Sequence, residues 1–192
     1  MSATIPIKNR ERLEMMKNYY KDVNNNSRNY LLVVTGINTA LRISDVLALR
    51  WKDVYSFSQH SYKTHITLRE RKTGKRNTLL INSAVKEALE LYAAGKDLSE
   101  EQYLFQSQKG TNLPITRQQA FRIVKQAALF AGLEEHISCH SLRKTFGYYA
   151  WKQGASPAML MKIYNHSSFH VTQRYLGIEQ DEKDDVYSNV VL

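Results

Sequence analysis

Apolar residues recur at helical spacing early in the chain, where "KNRERLEMMKNYYK" (residues 8–21) aligns Leu13, Met16 and Tyr20 on one face. The polar cluster at residues 24–27 predicts a turn, followed by a second helix over 27–38 and a third over about 44–49. Between residues 53 and 82 the period shortens. "YKTHITL" alternates and is rich in Thr and Ile, "RERKTGKRN" turns, and "TLLI" resumes an extended run, which together predict a β-hairpin with a basic tip. Ser83 is placed to cap "AVKEALELYAA", which ends at Gly95. Thr116 is placed to cap "RQQAFRIVKQAALFAG", with Phe121, Val124 and Ala128 inward and Arg117, Arg122 and Lys125 outside. Further helices are predicted over 141–153, 156–164 and about 171–176, before an acidic tail ending in "VYSNVVL". With three prolines and no internal repeat, the expected class is α+β: mainly α, with a small antiparallel hairpin.

Composition narrows this picture. A chain of 192 residues, 43% hydrophobic, is long enough for one well-buried core and short for two. The 27 Lys+Arg against 18 Asp+Glu give +9 and a pI near 9.6. Residues 179–185 take five of the acids and one lysine, leaving 26 basic and 13 acidic residues, or +13, elsewhere. Such an excess points to a polyanion, foremost nucleic acid. The longest apolar runs, such as "YLLVVTGI" from Tyr30, fall well short of the roughly twenty residues that span a bilayer, and no signal-peptide pattern opens the chain, so no membrane partner is expected. The single cysteine, Cys139, permits no internal disulfide and fits a reducing cytoplasm. Beside His140 it is a nucleophile candidate, although a buried core thiol is the simpler reading.

Five places carry chemistry. In "TALRISDVLALRWKDV", Arg42 stands at the start of a helix whose inward positions are Val46, Leu47 and Leu49, with Asp45 and Asp53 as candidate props. In "RKTGKR", Gly74 permits the turn and Lys72 leads into it as a candidate proton donor. "CHSLRKTFGYYA" puts His140 three residues before Arg143, a proton carrier and a planar cation on one helix face. "NHSSFHVTQRYLG" adds His166 and, nine residues on, Tyr175. A phenol titrates near pH 10, so Tyr175 needs neighbouring positive charge to act as a nucleophile. His136/His140 and His166/His170 stand four apart, but no H-E-x-x-H and no carboxylate cluster joins them, and no metal or other cofactor is expected.

These pieces resemble the catalytic domain of the tyrosine recombinases, the phage integrase family. "TALRISDVLALRWKDV", "ERKTGKRNTLLI", "HSLRKTFGYYAWKQG" and "NHSSFHVTQRYLG" occur in the family's order from about residue 30 to 177. The resemblance implies that Arg42 and Arg143 hold the scissile phosphate, that Lys72 is the hairpin lysine, that His140 and His166 are the two further active-site residues, and that Tyr175 is the nucleophile. Three positions depart from the family: Ala40 and Asn165 stand where glycine is common, and Ser141 where aspartate is frequent. Only a short lead precedes the first helix, whereas the family usually carries a separate N-terminal helical domain. The expectation is either a fragment of a longer integrase, which is favoured, or a naturally short member, and with half the clamp missing DNA binding should be weak and strongly salt-dependent.

The resemblance further implies a site-specific recombinase that cleaves and rejoins double-stranded DNA through a 3′-phosphotyrosyl link, without metal or ATP. Lys75, Arg76, Arg117, Arg122, Lys125 and Lys144 are then candidate DNA contacts. Residues 1–177 are expected to form the catalytic domain of a protein that acts as a tetramer on DNA, and 178–192 a tail that either docks on a neighbouring protomer or is a disordered terminus. Rival readings remain open. "LRKTFGYYAWKQGASPAMLMKIYNHSS" also resembles a helix-turn-helix with Gly154 at the turn, which suits a non-enzymatic DNA-binding protein. A type IB topoisomerase uses the same kind of tyrosine adduct, and a metal-dependent nuclease would be stopped by EDTA.

Overall fold

A computed structural model describes residues 4–134 and 136–190. Ten helices and four short strands follow one another along the described residues. Helix α1 (Arg10–Asn18) is capped by Asn9, whose side chain accepts from the Arg12 amide, and runs into a π-helical turn over Tyr19–Val23. Helix α2 (Ser27–Asn38), capped by Asn26, is buried from Asn29 through Gly36, so the run that falls short of a membrane span is the central core helix. No helix among the described residues is long and apolar enough to cross a membrane. Gly36 lets α2 and helix α7 (Cys139–Lys152) approach closely, because a Cβ there would lie 2.5 Å from Leu142 Cδ1.

The third helix, expected over about 44–49, is a single turn, α3 (Ile43–Val46), and a further turn, α4 (Trp51–Val54), follows where none was expected. Asp53 Oδ2 accepts from the Arg50 amide at 2.7 Å and fixes the start of the second turn. Two antiparallel pairs follow. The two-residue strands β1 (Tyr55–Ser56) and β2 (Ser61–Tyr62) pair Tyr55 with Tyr62. Strands β3 (His65–Arg69) and β4 (Arg76–Leu80) form the expected hairpin, in register from His65↔Leu80 to Arg69↔Arg76. Gly74 closes its turn at φ +68°, as only a residue free of Cβ does without strain.

Helix α5 (Ser83–Ala93) is capped by Asn82, not Ser83: the Asn82 side chain accepts from the Val85 amide at 3.0 Å and Ser83 is the first helical residue. Thr116 caps α6 (Arg117–Phe130) as expected, with Gln119 completing a capping box. The inward stripe of α6 is Ala120, Ile123, Val124, Ala127 and Ala128, whereas Phe121, expected inside, is 40% exposed. The small alanines allow close packing and leave the larger ring outside. Helices α7, α8 (Pro157–Tyr164) and α9 (Phe169–Leu176) follow, with Gly154 at φ +85° between the first two. The acidic tail is helix α10 (Glu179–Asn189), on which no residue is buried and Tyr187 is 81% exposed.

Two apolar clusters organise these elements. The larger one unites α1, α2, α5 and α6 with Trp51, Phe105 and Ile66. Each fully buried large side chain there contributes about 1.5–3 kcal/mol. The smaller cluster, Ala40, Tyr148, Leu160, Tyr164, Leu176 and Ile178, binds α7, α8 and α9 together. Tyr175 packs against the smaller cluster.

Candidate active site

Arg42 occupies the N-cap of α3 in an extended conformation and makes no side-chain cap bond, which leaves its guanidinium to other partners. It meets Glu70, with Nη1 2.6 Å from Oε2. Glu70 is 5% exposed and sits just past the end of β3. Its Oε2 also accepts from Thr73 Oγ1 at 2.9 Å and its Oε1 from Asn77 Nδ2 at 3.2 Å. Burial raises the Glu70 pKa, but the hydrogen bonds from Thr73 and Arg42 and the charges of Arg42 and Arg143 outweigh it and hold the carboxyl below its usual range. Asp45 supports the same turn, accepting from the Arg71 amide at 3.0 Å. Lys72 stands exposed at the turn, near enough that its charge acts on His140.

His140 and Arg143 come from the first turns of α7, which Ser138 and Ser141 cap reciprocally at 3.1 Å. Ser141, where the family often has aspartate, is thus the capping-box partner. Arg143 is 5% exposed and donates through Nη1 to the Ala40 carbonyl. Its guanidinium carbon lies 4.7 Å from the centre of the Tyr164 ring, and Tyr164 Oη donates to the Arg143 carbonyl at 2.7 Å. Ala40 and Asn165 adopt φ +53° and +56°. Both therefore occupy the left-handed region that favours the glycine common there in the family. Asn165 ends α8 in that conformation, and its Oδ1 accepts from Lys75 Nζ at 2.5 Å, joining hairpin to helix end.

His166 follows directly, its Nδ1 3.1 Å from Thr172 Oγ1 on α9. The rings of Tyr164, His166 and Tyr175 form a cluster with centroid separations of 5.2–5.6 Å. Gly147 makes room for it, since a Cβ there would strike Tyr164 and Leu176. Burial raises the Tyr175 pKa, opposed by the charge of Arg143, a hydrogen bond from Arg143 and the charge of Arg42. Burial first, and then the charges of Arg143 and Arg42, lowers the His166 pKa. The pKa of His140, a residue that solvent reaches, is lowered too, by partial desolvation and then by the charges of Arg143, Lys144, Arg42 and Lys72. Positive charge from Arg42 and Arg143 thus bears on Tyr175, His140 and His166, and that of Lys72 on His140. A cleft of about 480 Å³ lined by Glu70, Lys75, Arg76, Asn165 and His166 opens beside them.

Other candidates stand differently. Lys144 is not a free cation for a ligand: its Nζ donates to the Thr4 carbonyl at 2.5 Å and lies 5.0 Å from the centre of the Tyr175 ring. Arg76, Arg117 and Arg122 are exposed and Lys125 is half-buried. Cys139 packs against the large core, and burial pushes its thiol up to about 11, which opposes a nucleophilic role. His170 pairs with Arg174 at 2.9 Å and Glu179 at 3.3 Å. Among the described residues no group of three or more His, Cys, Asp or Glu is arranged to hold a metal ion. Glu70 escaped the sequence reading inside a basic turn. One signal existed: Glu70, just past the end of β3, continues the inward alternation of Ile66 and Leu68, which makes a carboxylate there a buried one.

Comparison with known proteins gives a consistent result. The model of the phage integrase family matches residues 6–182. "Probable integrase/recombinase YoeC" of Bacillus subtilis (strain 168) is 44% identical over 181 residues, covering 94% of this chain and 93% of that protein. A protein named "Tyrosine recombinase" from Pseudothermotoga lettingae is 30% identical over 167 residues, which is 86% of this chain and 55% of its own length. Among solved structures, XerA recombinase superposes with a TM-score of 0.75 at 18% identity, over 98% of this chain and 64% of that one. XerH bound to a palindromic difH substrate, a post-cleavage complex, gives 0.69 at 21% identity, over 98% of this chain and 54% of that one. The fold is that of these recombinase domains.

Proposed function

The chain belongs to the phage integrase family, and from that premise we propose that it breaks and rejoins DNA strands as a site-specific tyrosine recombinase. What supports the proposal is a chain of contacts: Arg143 donates to the Ala40 carbonyl, two residues before Arg42, and packs 4.7 Å from the Tyr164 ring, which lies 5.3 Å from Tyr175, itself 5.2 Å from His166. A phosphodiester brought to this point meets two guanidinium groups beside a phenol.

Tyr175 Oη attacks the phosphorus. Because the phenol is protonated at neutral pH, its proton must leave as the bond forms. His140, whose lowered pKa leaves it neutral at pH 7, is the acceptor. Arg42 and Arg143 hold the non-bridging oxygens through paired N–H donors and neutralise the charge that builds on them. His166, fixed by Thr172, adds a further polar contact at the phosphate. Lys72 gives a proton to the departing 5′ oxygen, which is otherwise a poor leaving group. The phosphate stays on Tyr175 as a 3′-phosphotyrosyl ester, and attack by another strand's 5′ hydroxyl reverses each transfer.

Arg76 and Lys75 on the hairpin, with Arg117, Arg122 and Lys125 on α6, are the candidate backbone contacts, and the net charge of +9 supports a DNA partner. Residues 1–177 form the reacting unit. Helix α10, with Val186, Tyr187 and Val190 exposed, suits docking on a neighbour in a tetramer that joins two duplexes. Incubation with nicked duplex DNA, which traps the cleaved strand, tests the proposal. A denaturant-stable adduct is expected from the wild type, in the presence of EDTA, and should be lost in Tyr175→Phe at unchanged DNA affinity. An adduct that survives Tyr175→Phe refutes it, and one abolished by EDTA favours a metal-dependent nuclease.

A further inference from the structure

We propose that Glu70 is a positioning residue for this reaction, one buried carboxylate that fixes both the Arg42 guanidinium and the turn carrying Lys72. The inference rests on the phosphotyrosyl reading of the site. Two oxygens serve three donors from two directions. Arg42 approaches from α3 at 2.6 Å, while Thr73 and Asn77 approach from the turn and from β4 at 2.9 and 3.2 Å. The Glu70 backbone is locked as well, its amide donating to the Lys75 carbonyl at 2.9 Å and its carbonyl accepting from the Gly74 amide at 2.8 Å. Lys72 lies between these anchors. The carboxylate occupies one terminal nitrogen of Arg42 and leaves the remaining N–H groups for phosphate.

A buried charge persists only where partners satisfy it, and here the partners are the two groups whose relative placement the chemistry needs. The depressed pKa of Glu70 agrees, since it keeps the carboxylate ionised throughout the working pH range. Phosphate neutralisation and leaving-group protonation are thereby coupled through a side chain that touches neither reacting atom.

The test compares adduct formation on two nicked duplexes, one with the ordinary 5′ oxygen at the cleaved phosphate and one with a bridging 5′ sulfur. Sulfur departs as a thiolate and needs no proton, so the second substrate is insensitive to the placement of Lys72. Lys72→Ala calibrates it and should be slow on oxygen and restored on sulfur. Glu70→Gln keeps the shape but loses the charge; it should react about 10–100-fold more slowly on oxygen, at DNA affinity within about threefold of wild type. On sulfur its deficit should shrink at least about threefold yet persist, because Arg42 has also lost its anchor. Thr73→Val removes the tie from Glu70 to the turn, along with the bond the Thr73 hydroxyl accepts from the Lys75 amide inside that turn, and leaves Arg42 on Glu70, so its deficit should vanish on sulfur. A Glu70→Gln variant that reacts at the wild-type rate, or whose deficit is equal on both substrates, overturns the assignment. So does a Lys72→Ala deficit that sulfur leaves unchanged. Absence of any wild-type adduct on either substrate overturns the parent reading and Glu70's role with it, and so is distinguishable from these results.

Discussion

Replacing Gly147 by alanine tests the packing beneath the nucleophile. In an exposed helix this change gains about 1 kcal/mol of helix propensity. On α7 the sign reverses, because the added Cβ would strike Tyr164 Oη and fall 2.5 Å from Leu176 Cδ2. Both of those side chains are buried and have no room to retreat. Overpacking of this kind costs about 1–3 kcal/mol, and displacing Tyr164 Oη sacrifices its bond to the Arg143 carbonyl, about 1 kcal/mol more. The expected net loss is about 1–3 kcal/mol, which lowers Tm by roughly 2–12 °C for a chain of this size. Activity should suffer beyond stability. Tyr164 packs on Arg143 at 4.7 Å and on Tyr175 at 5.3 Å, so a shift of the ring moves the proposed phosphate ligand and the proposed nucleophile together. Adduct formation at 25 °C should slow about 10²-fold. Thermal melting with the nicked-substrate assay reads both effects. A variant as stable as the wild type that reacts at the same rate refutes the packing argument.

Charge and burial set the other expectations. His140 must be neutral to accept the phenolic proton and its pKa is depressed, so adduct formation should be flat from pH 7 to 8 and fall in acid with a midpoint below the ordinary 6.5; a midpoint above 6.5 contradicts the base. The same depression means that the unfolded chain takes up the His140 and His166 protons first. Their stability contribution is therefore present above pH 6.5 and lost as pH falls toward the folded values. Arg76→Ala should reduce the slope of log Kd against log salt by about 0.9, whereas Lys144→Ala should leave the slope unchanged because its ammonium is engaged internally. Cys139 should react with iodoacetamide at pH 7.5 about a hundredfold more slowly than a free thiol, and rapidly in denaturant.

The candidate site residues stand out in the sequence as a set of local patterns that together resemble the family's motifs: Arg42 before an apolar turn, His140 three before Arg143, Tyr175 nine after His166. Their roles in the reaction are proposals. The hairpin and the long helices were readable from periodicity. What escaped depends on contacts between distant segments. Glu70 looks like one acid in a basic turn until α3 brings Arg42 against it. Lys144 looks like a surface cation until Thr4 and Tyr175 arrive from opposite ends of the chain. Phe121 was misplaced because alanines at 120, 127 and 128 carry the inward face of α6 without a strong apolar signal. Asn82 and Ser83 are both good caps, and only the backbone decides between them.

Peptide mapping of the trapped adduct tests the central claim most directly, that a phenol held among guanidinium groups forms the bond to DNA. After nuclease trimming and trypsin, mass spectrometry should find a nucleotide 3′-phosphate on the peptide of residues 175–183, attached at its first residue, Tyr175. Attachment at any other residue, or through a 5′-phosphate, would contradict the account.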